Sequence, residues 1–148
     1  ERGVKLTVEE RPDLAEVEVT IRCPAIDRRV RAIMAAANAA DRRLMGTDEH
    51  GTFLVEAADV LYAETVDGRT FLYEGDRVLE SPLRLYELED QLAGTEFIRA
   101  SKSLLVNFDA VRGLRPQLNA RLELILANGE HVVASRQYAP AIKQKIGL

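Results

Sequence analysis

The sequence predicts a mainly β protein with a few short helices, an α+β fold. Short segments in which apolar and polar residues alternate run along most of the 148 residues, as they do in half-buried strands. The pairs Asp67-Gly68 and Asn128-Gly129 each join two such segments and predict two-residue hairpin turns. Only three stretches carry apolar residues at helical spacing, and they do not alternate with the strands as in a parallel βαβ sheet.

Residues 1–46 are predicted to form a small β-β-helix extension ahead of a domain of residues 47–148. Residues 3–10 (GVKLTVEE) and 16–23 (EVEVTIRC) alternate as strands do, and a Pro-Asp pair marks the turn between them. From Asp27, a suitable N-cap, apolar residues recur at helical spacing into an alanine-rich end. The extension either completes the core or forms a contact with another protein, and the residues favour neither.

The rest of the chain predicts a series of strands with two more helices. Ser81-Pro82 predicts the start of the second helix, because serine is a common N-cap and proline is tolerated at the first helical position. The last helix is predicted from Tyr138 to Ile146. The strands are predicted at residues 52–56, 60–66, 69–74, 77–81, near 97, 104–108, 111–114, 121–127 and 132–135.

Composition limits the classes of protein to which the chain can belong. Hydrophobic residues make up 47% and charged residues 30%, which allows a buried core in a soluble chain. The apolar runs are much shorter than the roughly 20 residues that a membrane helix needs. The single cysteine, Cys23, excludes an internal disulfide and a cysteine zinc site. These limits predict a cytoplasmic globular protein.

Charge is distributed unevenly along the chain. The net charge of the whole chain is −4, but residues 1–96 carry −9 and residues 97–148 carry +5. Such asymmetry indicates a face that binds a polyanion. Solvated surface charge without a partner explains it equally well at this point.

Patterns typical of enzymes and cofactor sites do not occur in the sequence. It has no glycine-rich phosphate loop, and its two histidines lie far apart, each beside a hairpin turn. None of its serines has the sequence context of a nucleophile elbow. We therefore expect no enzymatic activity, no cofactor and no metal.

Three predicted turns each place a cation beside a strand or helix end: Asp67-Gly68-Arg69, Ser101-Lys102-Ser103 and Ser135-Arg136-Gln137. Long cationic side chains on loops of a rigid β scaffold reach the edges of bases, whereas hydroxyls and backbone N–H groups meet phosphates. Each turn taken alone is typical of a solvated hairpin tip. Nearby Asn107 is better suited to bonding the local backbone than to contacting DNA.

The stretch FIRASKSLLVNFDAV, residues 97–111, resembles the signature of the LytTR DNA-binding domain family, F-x-R-x-x-(R/K)-S-x-(L/I)-V-N. VLYAETVDGRTFLYEGDRVLESPLRLYELEDQLAG resembles the opening hairpin and helix of that family. LILANGEHVVASRQYAPAIKQKI resembles its closing hairpin, its S-R-x-Y turn and its last helix. The resemblance covers residues 50–148. Ser101 departs from the pattern, since a histidine is common at that position.

The resemblance implies an elongated β fold of about ten strands whose loops enter successive major grooves of double-stranded DNA, often at paired direct repeats. Residues that match the base-contacting positions are Lys102, Arg136 and Arg69. Residues that match phosphate-contacting positions are Ser103, Ser135, Gln137 and Arg99.

The function that follows is a bacterial, sequence-specific, double-stranded DNA-binding transcription regulator. The alternative is a protein-interaction module whose basic loops bind an acidic protein partner. The resemblance is to stand-alone regulators without a receiver domain. It implies a further partner, a small multi-span membrane protein that acts as an inhibitor. A homodimer contact is the other option for the first 46 residues, beside completion of the core.

Overall fold

Ten strands and three helices make up the computed structural model, which describes residues 3–148. This confirms the predicted mainly β class. The helices are α1 (Arg28–Ala39), α2 (Leu85–Gln91) and α3 (Ala139–Lys145). The strands are β1 (Arg43–Asp48), β2 (Gly51–Glu56), β3 (Tyr62–Val66), β4 (Arg69–Glu74), β5 (Arg77–Ser81), β6 (Phe97–Ser101), β7 (Leu104–Asn107), β8 (Val111–Pro116), β9 (Leu122–Leu126) and β10 (His131–Ala134).

The strands form two antiparallel sheets. The larger has the order β2-β1-β5-β4-β3-β7-β6, and the smaller has the order β10-β9-β8. The two sheets meet where the backbone N–H of Ser135, just after β10, donates to the carbonyl of Ala100 in β6 at 2.9 Å. This link fixes the end of β10 beside the end of β6.

The protein has two hydrophobic cores that share strand β7. Leu105 packs into the core that also contains the buried leucines of α2. Leu104 and Val106 face the other way, into the core formed with the small sheet and α3. All four residues of β7 are buried, which explains why the sequence there is continuously apolar rather than alternating. Each fully buried leucine contributes about 1.5–3 kcal/mol.

The first two predicted strands are wrong. Residues 3–10 and 16–23 have no regular secondary structure, are almost wholly exposed and pair with no strand. The turn between them does form, because the N–H of Leu14 donates to the carbonyl of Arg11 at 3.1 Å. An isolated two-stranded hairpin is marginal in water, and within residues 3–148 these segments have no surface on which to bury their apolar side chains.

Helix α1 confirms the third predicted element of the extension. Its N-cap is Asp27, whose carboxylate accepts a hydrogen bond from the N–H of Val30 at 3.1 Å. That bond lowers the pKa of Asp27. Strand β1, which was not predicted, follows the helix and pairs with β2 along its whole length. It spans the predicted domain boundary at residues 46 and 47.

Two local predictions are corrected. Helix α2 begins at Leu85 with Arg84 as N-cap, not at Ser81. Ser81 instead pairs with Thr70 in the β4–β5 ladder, and the proline that follows favours this extended backbone.

The Asn128-Gly129 hairpin forms, but its loop has four residues, 127–130, rather than two. Only Gly129 in this loop has a positive φ, of 90°, so it is not a turn with two left-handed residues. The Asp67-Gly68 hairpin has the predicted form, with φ values of 52° and 77°. None of the helices within residues 3–148 is long and apolar enough to cross a membrane.

Candidate nucleic-acid interface

The strand register brings all three predicted cationic turns to one end of the molecule. The N–H of Thr65 donates to the carbonyl of Ser103 at 2.9 Å, so the β3–β4 turn lies beside the β6–β7 turn. The Ser135–Ala100 bond places the β10–α3 turn beside the β6–β7 turn from the other side. The β8–β9 loop joins them, because Leu122 pairs with Ala134 and with Pro116. We call this surface the cationic end and define it as residues 67–69, 101–103, 117–121 and 135–137.

Lys102 and Arg136 lie at the centre of the cationic end. Both side chains are exposed. Within residues 3–148 neither the Lys102 ammonium nor the Arg136 guanidinium forms an ion pair or a hydrogen bond. Two cations on adjacent, rigidly joined turns are therefore free to meet an anionic partner.

Arg99 supports the turn that carries Lys102. Its side chain is only 17% exposed and pairs with Glu89 at 3.0 Å. The guanidinium also donates to the backbone carbonyls of Lys102 at 2.7 Å and Ser101 at 3.4 Å. A shift of register between Arg99 and Ser101 lets the strand end bend into this turn. The partners of Arg99 lie within the chain, and its phosphate contact stays a prediction.

Arg69 is at the cationic end but is bound to Glu80. Its guanidinium donates to both carboxylate oxygens of Glu80, at 3.1 and 2.6 Å, and lies 5.4 Å from the ring centroid of Phe71. The hydrogen bond from Arg69 lowers the pKa of Glu80, and the same bond raises the pKa of Arg69. A nucleic acid that used Arg69 would compete with this carboxylate.

The remaining predicted contact residues differ in exposure. Ser103 and Gln137 are exposed, whereas Ser135 is half-buried. The carbonyl of Ser135 accepts from the N–H groups of Tyr138 and Ala139, which starts α3. Their contacts to phosphate stay predictions.

Asn107 has the structural role that the sequence indicated. It is buried, its amide nitrogen donates to the carbonyl of Val60 at 3.0 Å, and its amide oxygen accepts from the N–H of Asp109 at 3.1 Å. These bonds tie the end of β7 to the segment that precedes β3. Asn107 therefore does not reach the cationic end.

The sequence reasoning missed Arg121. This arginine ends the β8–β9 loop, is exposed, and has no ion pair within the part of the chain that the structure describes. The available signal was an arginine at the first position of the strand predicted at residues 121–127. Only the pairing of β9 with β10 shows that it lies beside the turn of Arg136.

At the opposite end of the strands, three of the connections each carry a carboxylate. Residues 75–76, 108–110 and 127–130 contain Asp76, Asp109 and Glu130 and no lysine or arginine, although Arg28 and Arg112 lie close to Asp109. The N–H of Ala127 donates to the carbonyl of Ala110 at 2.7 Å, which joins two of these connections. We call residues 75–76, 108–110 and 127–130 the acidic end. Residues 3–148 hold no group of three or more His, Cys, Asp or Glu side chains that could bind a metal ion.

Comparison with known proteins decides the family. The sequence profile of the LytTr DNA-binding domain matches residues 50–147. The chain belongs to this family. Relatives of this LytTR protein in Staphylococcus aureus strains NCTC 8325 and COL are 27% identical over 135 residues, covering 90% of this chain and 91% of theirs. Both carry the name uncharacterized HTH-type transcriptional regulator.

A solved structure supports the same assignment. The LytTr DNA-binding domain of a methyl-accepting/DNA response regulator from Bacillus cereus superposes with a TM-score of 0.68 and 25% identity, covering 72% of this chain and 97% of that one. The predicted resemblance is thus confirmed. In residues 3–148 of this LytTR protein no two helices follow each other directly. The described residues therefore contain no helix-turn-helix.

Proposed function

We propose that this LytTR protein is a transcription regulator that binds specific sequences of double-stranded DNA and reads major grooves with the turns of its cationic end. The observation that carries the proposal is the pairing of two free cations, Lys102 and Arg136, on turns joined by the Ser135–Ala100 backbone bond. Arginine pairs with guanine through two hydrogen bonds, and lysine bonds to the same acceptors. These residues are the proposed base contacts.

The spacing of the turns suits a groove. Neighbouring strands lie about 4.8 Å apart, so the Lys102 and Arg136 turns are separated by one to two strand spacings. The major groove of B-DNA is roughly 12 Å wide, which accommodates both turns together. Arg69, on the far side of β3, is the proposed third base contact once Glu80 releases it. Ser103, Ser135 and Gln137 flank the readers as proposed phosphate contacts.

The charge pattern explains how an acidic protein approaches DNA. Fields of exposed charges fall off over about 8 Å at physiological salt, so the local end matters more than the net charge of −4. Each turn of the cationic end carries one lysine or arginine, and the acidic end points away from it. This arrangement orients the protein on a polyanion.

A second copy of the chain is the partner that we propose for residues 3–26. These residues leave Val4, Leu6, Val8, Val17 and Val19 mostly exposed. Strand β2 is an edge of the large sheet, with Leu54 66% exposed. Alternating segments add readily to such an edge, giving a homodimer or a pair on repeated sites. The small membrane-protein inhibitor implied by the resemblance is the competing occupant.

Sedimentation of the full chain and of a chain lacking residues 3–26 tests this association. We expect concentration-dependent dimers for the full chain and monomers for the shortened one, because the segment supplies the added strand. Dimers that persist without residues 3–26 would contradict the proposed contact. A monomeric full chain would leave the membrane protein as the partner to test.

Selection from a random duplex library at near-physiological salt tests the proposed function. We expect one short motif with the full chain, and its loss with the double variant Lys102→Ala/Arg136→Ala. The matched control is Arg28→Ala/Arg31→Ala, which removes two exposed cations outside both the cationic end and residues 3–26. No enrichment by a folded protein would favour the alternative, a module that binds an acidic protein through the same turns.

A further inference from the structure

The β8–β9 loop is a fourth element of the cationic end that no motif predicted. Leu122 opens β9 and pairs with Ala134, the last residue of β10. One step further along this antiparallel register, Arg121 lies opposite Ser135. Arg121 therefore stands one strand away from the turn that carries Arg136, on the side away from Lys102.

The loop is held open by its own backbone. The N–H of Gln117 donates to the carbonyl of Arg121 at 2.9 Å and closes the base of the loop. Between them, Asn119 and Ala120 adopt left-handed conformations with φ of 64° and 61°. Asparagine tolerates this conformation but alanine rarely adopts it, so the loop keeps its shape at a conformational cost. Such strain is concentrated at functional positions.

The tip of this loop stands clear of the protein. Leu118 is 84% exposed, and Asn119 and Ala120 are exposed beside it. Arg121 is exposed as well, whereas Arg115, on the neighbouring strand, is neutralised by Glu123 at 3.5 Å. The loop thus presents one uncompensated positive charge, at the same end as Lys102 and Arg136.

We infer that the β8–β9 loop is a fourth DNA contact in which Arg121 binds a backbone phosphate beside the groove entered by the Arg136 turn. This inference rests on the proposed function and adds to it a sequence-independent anchor. A phosphate is the fitting ligand because phosphate and sugar receive about half or more of all protein–DNA hydrogen bonds, arginine being a common donor. Arg121 also lies beyond the Arg136 turn, on the side away from Lys102, the two residues to which base reading is first assigned.

The salt dependence of binding to the selected duplex tests the inference. Each phosphate that a protein neutralises contributes a slope of about −0.9 to the plot of log K against log salt. We expect Arg121→Gln to make that slope shallower by roughly 0.9 while the preferred motif stays the same. Arg121→Lys should restore the slope, since lysine also neutralises a phosphate.

The matched control is Arg28→Gln, an exposed arginine beside Phe108 and Asp109 at the acidic end. It removes the same charge and should leave the slope unchanged. An unchanged slope in folded Arg121→Gln, with normal binding by the unaltered chain, would overturn this inference alone. Altered motif preference in Arg121→Gln would overturn the phosphate assignment. Absence of any selected duplex for the unaltered chain would overturn both the inference and the proposed function.

Discussion

The two ends of the strands differ in what their connections carry. At the cationic end each of the four turns holds one lysine or arginine, and the side chains of Lys102, Arg136 and Arg121 have no ion-pair or hydrogen-bond partner within residues 3–148. At the acidic end the three connections hold Asp76, Asp109 and Glu130. Both sets of connections belong to the same two sheets, so the contrast between them lies in their turn residues. The net charge of the whole chain sums both ends and therefore does not show that the cationic end is suited to a polyanion.

The cations in and next to the cationic end also differ in their partners. Lys102 and Arg136 are free, whereas Arg69 and Arg99 are held by Glu80 and Glu89. Free cations are available to a partner at once. Held cations either shape the turn, as Arg99 does, or must exchange one anion for another, as Arg69 would.

The largest effects are expected at the two free readers. Lys102→Ala and Arg136→Ala should each weaken binding to the selected duplex by about 1–3 kcal/mol, roughly 5- to 150-fold, because each removes hydrogen bonds to a base. Binding isotherms on the selected and on a scrambled duplex measure the loss. Both side chains are exposed, so the free energy of unfolding should change by no more than about 0.5 kcal/mol. A large fall in Tm would assign the residue to the fold instead.

Breaking the ion pair between Arg69 and Glu80 should make Arg69 available to DNA and so increase the affinity. Glu80→Gln removes the carboxylate that binds Arg69, so we expect binding to the selected duplex to tighten several-fold at low salt. The same substitution in an Arg69→Gln background is the control. If the gain in affinity depends on Arg69, Glu80→Gln should not increase affinity in the Arg69→Gln background. A gain of equal size in both backgrounds would show that it comes only from removing a negative charge.

The pH dependence of the Arg69–Glu80 pair follows from the lowered pKa of Glu80. A carboxylate whose pKa is lower in the folded state than in the unfolded state stabilises the protein at pH values above its ordinary pKa, here 4.5. That contribution is lost as the pH falls through the folded-state pKa. NMR titration of the Glu80 carboxyl should give a midpoint below 4.5 that moves back toward 4.5 in Arg69→Gln. A midpoint that is the same in Arg69→Gln and in the unaltered chain would show that the Arg69–Glu80 ion pair does not persist in solution.

The smallest effect is expected at the acidic end. Asp76→Lys changes the net charge by two units, but Asp76 lies beyond the far end of β4, roughly 17–20 Å from the turn of Arg69. That separation is about two Debye lengths at physiological salt, so the dissociation constant should change less than about two-fold. A stronger change at 0.15 M salt would mean that net charge, and not the local end, governs binding.

Local chemistry made much of this fold predictable. Asp67-Gly68 predicted its hairpin because only a few residue pairs suit two left-handed positions, and the strands on either side, β4 among them, follow from alternation. The exposure of Lys102 followed from a cation between two apolar runs. Asn107 was assigned correctly because a buried amide needs backbone partners.

What escaped prediction depends on contacts distant in sequence. The position of Arg121 beside the Arg136 turn follows only from the register of β9 with β10. The ion pair between Arg69 and Glu80 follows only from the pairing of β4 with β5. The strands expected at residues 3–10 and 16–23 alternate correctly, but alternation predicts a strand only where a surface exists to bury it. Strand β1 carries Gly46 and little alternation, yet it is fixed by its fit against Leu79, where a Cβ at position 46 would lie 2.6 Å from the Leu79 Cβ.

The backbone bond between Ser135 and Ala100 has a consequence for how such a protein changes its target. It sets the interval between the two proposed readers with main-chain atoms rather than with the side chains of residues 102 and 136. On the proposed function, replacing residue 102 or 136 should change which base is preferred at a position, while the number of base pairs between the positions stays constant. As variants of this protein evolve, the base sequence of their target sites should change before the spacing between the contacted base pairs does.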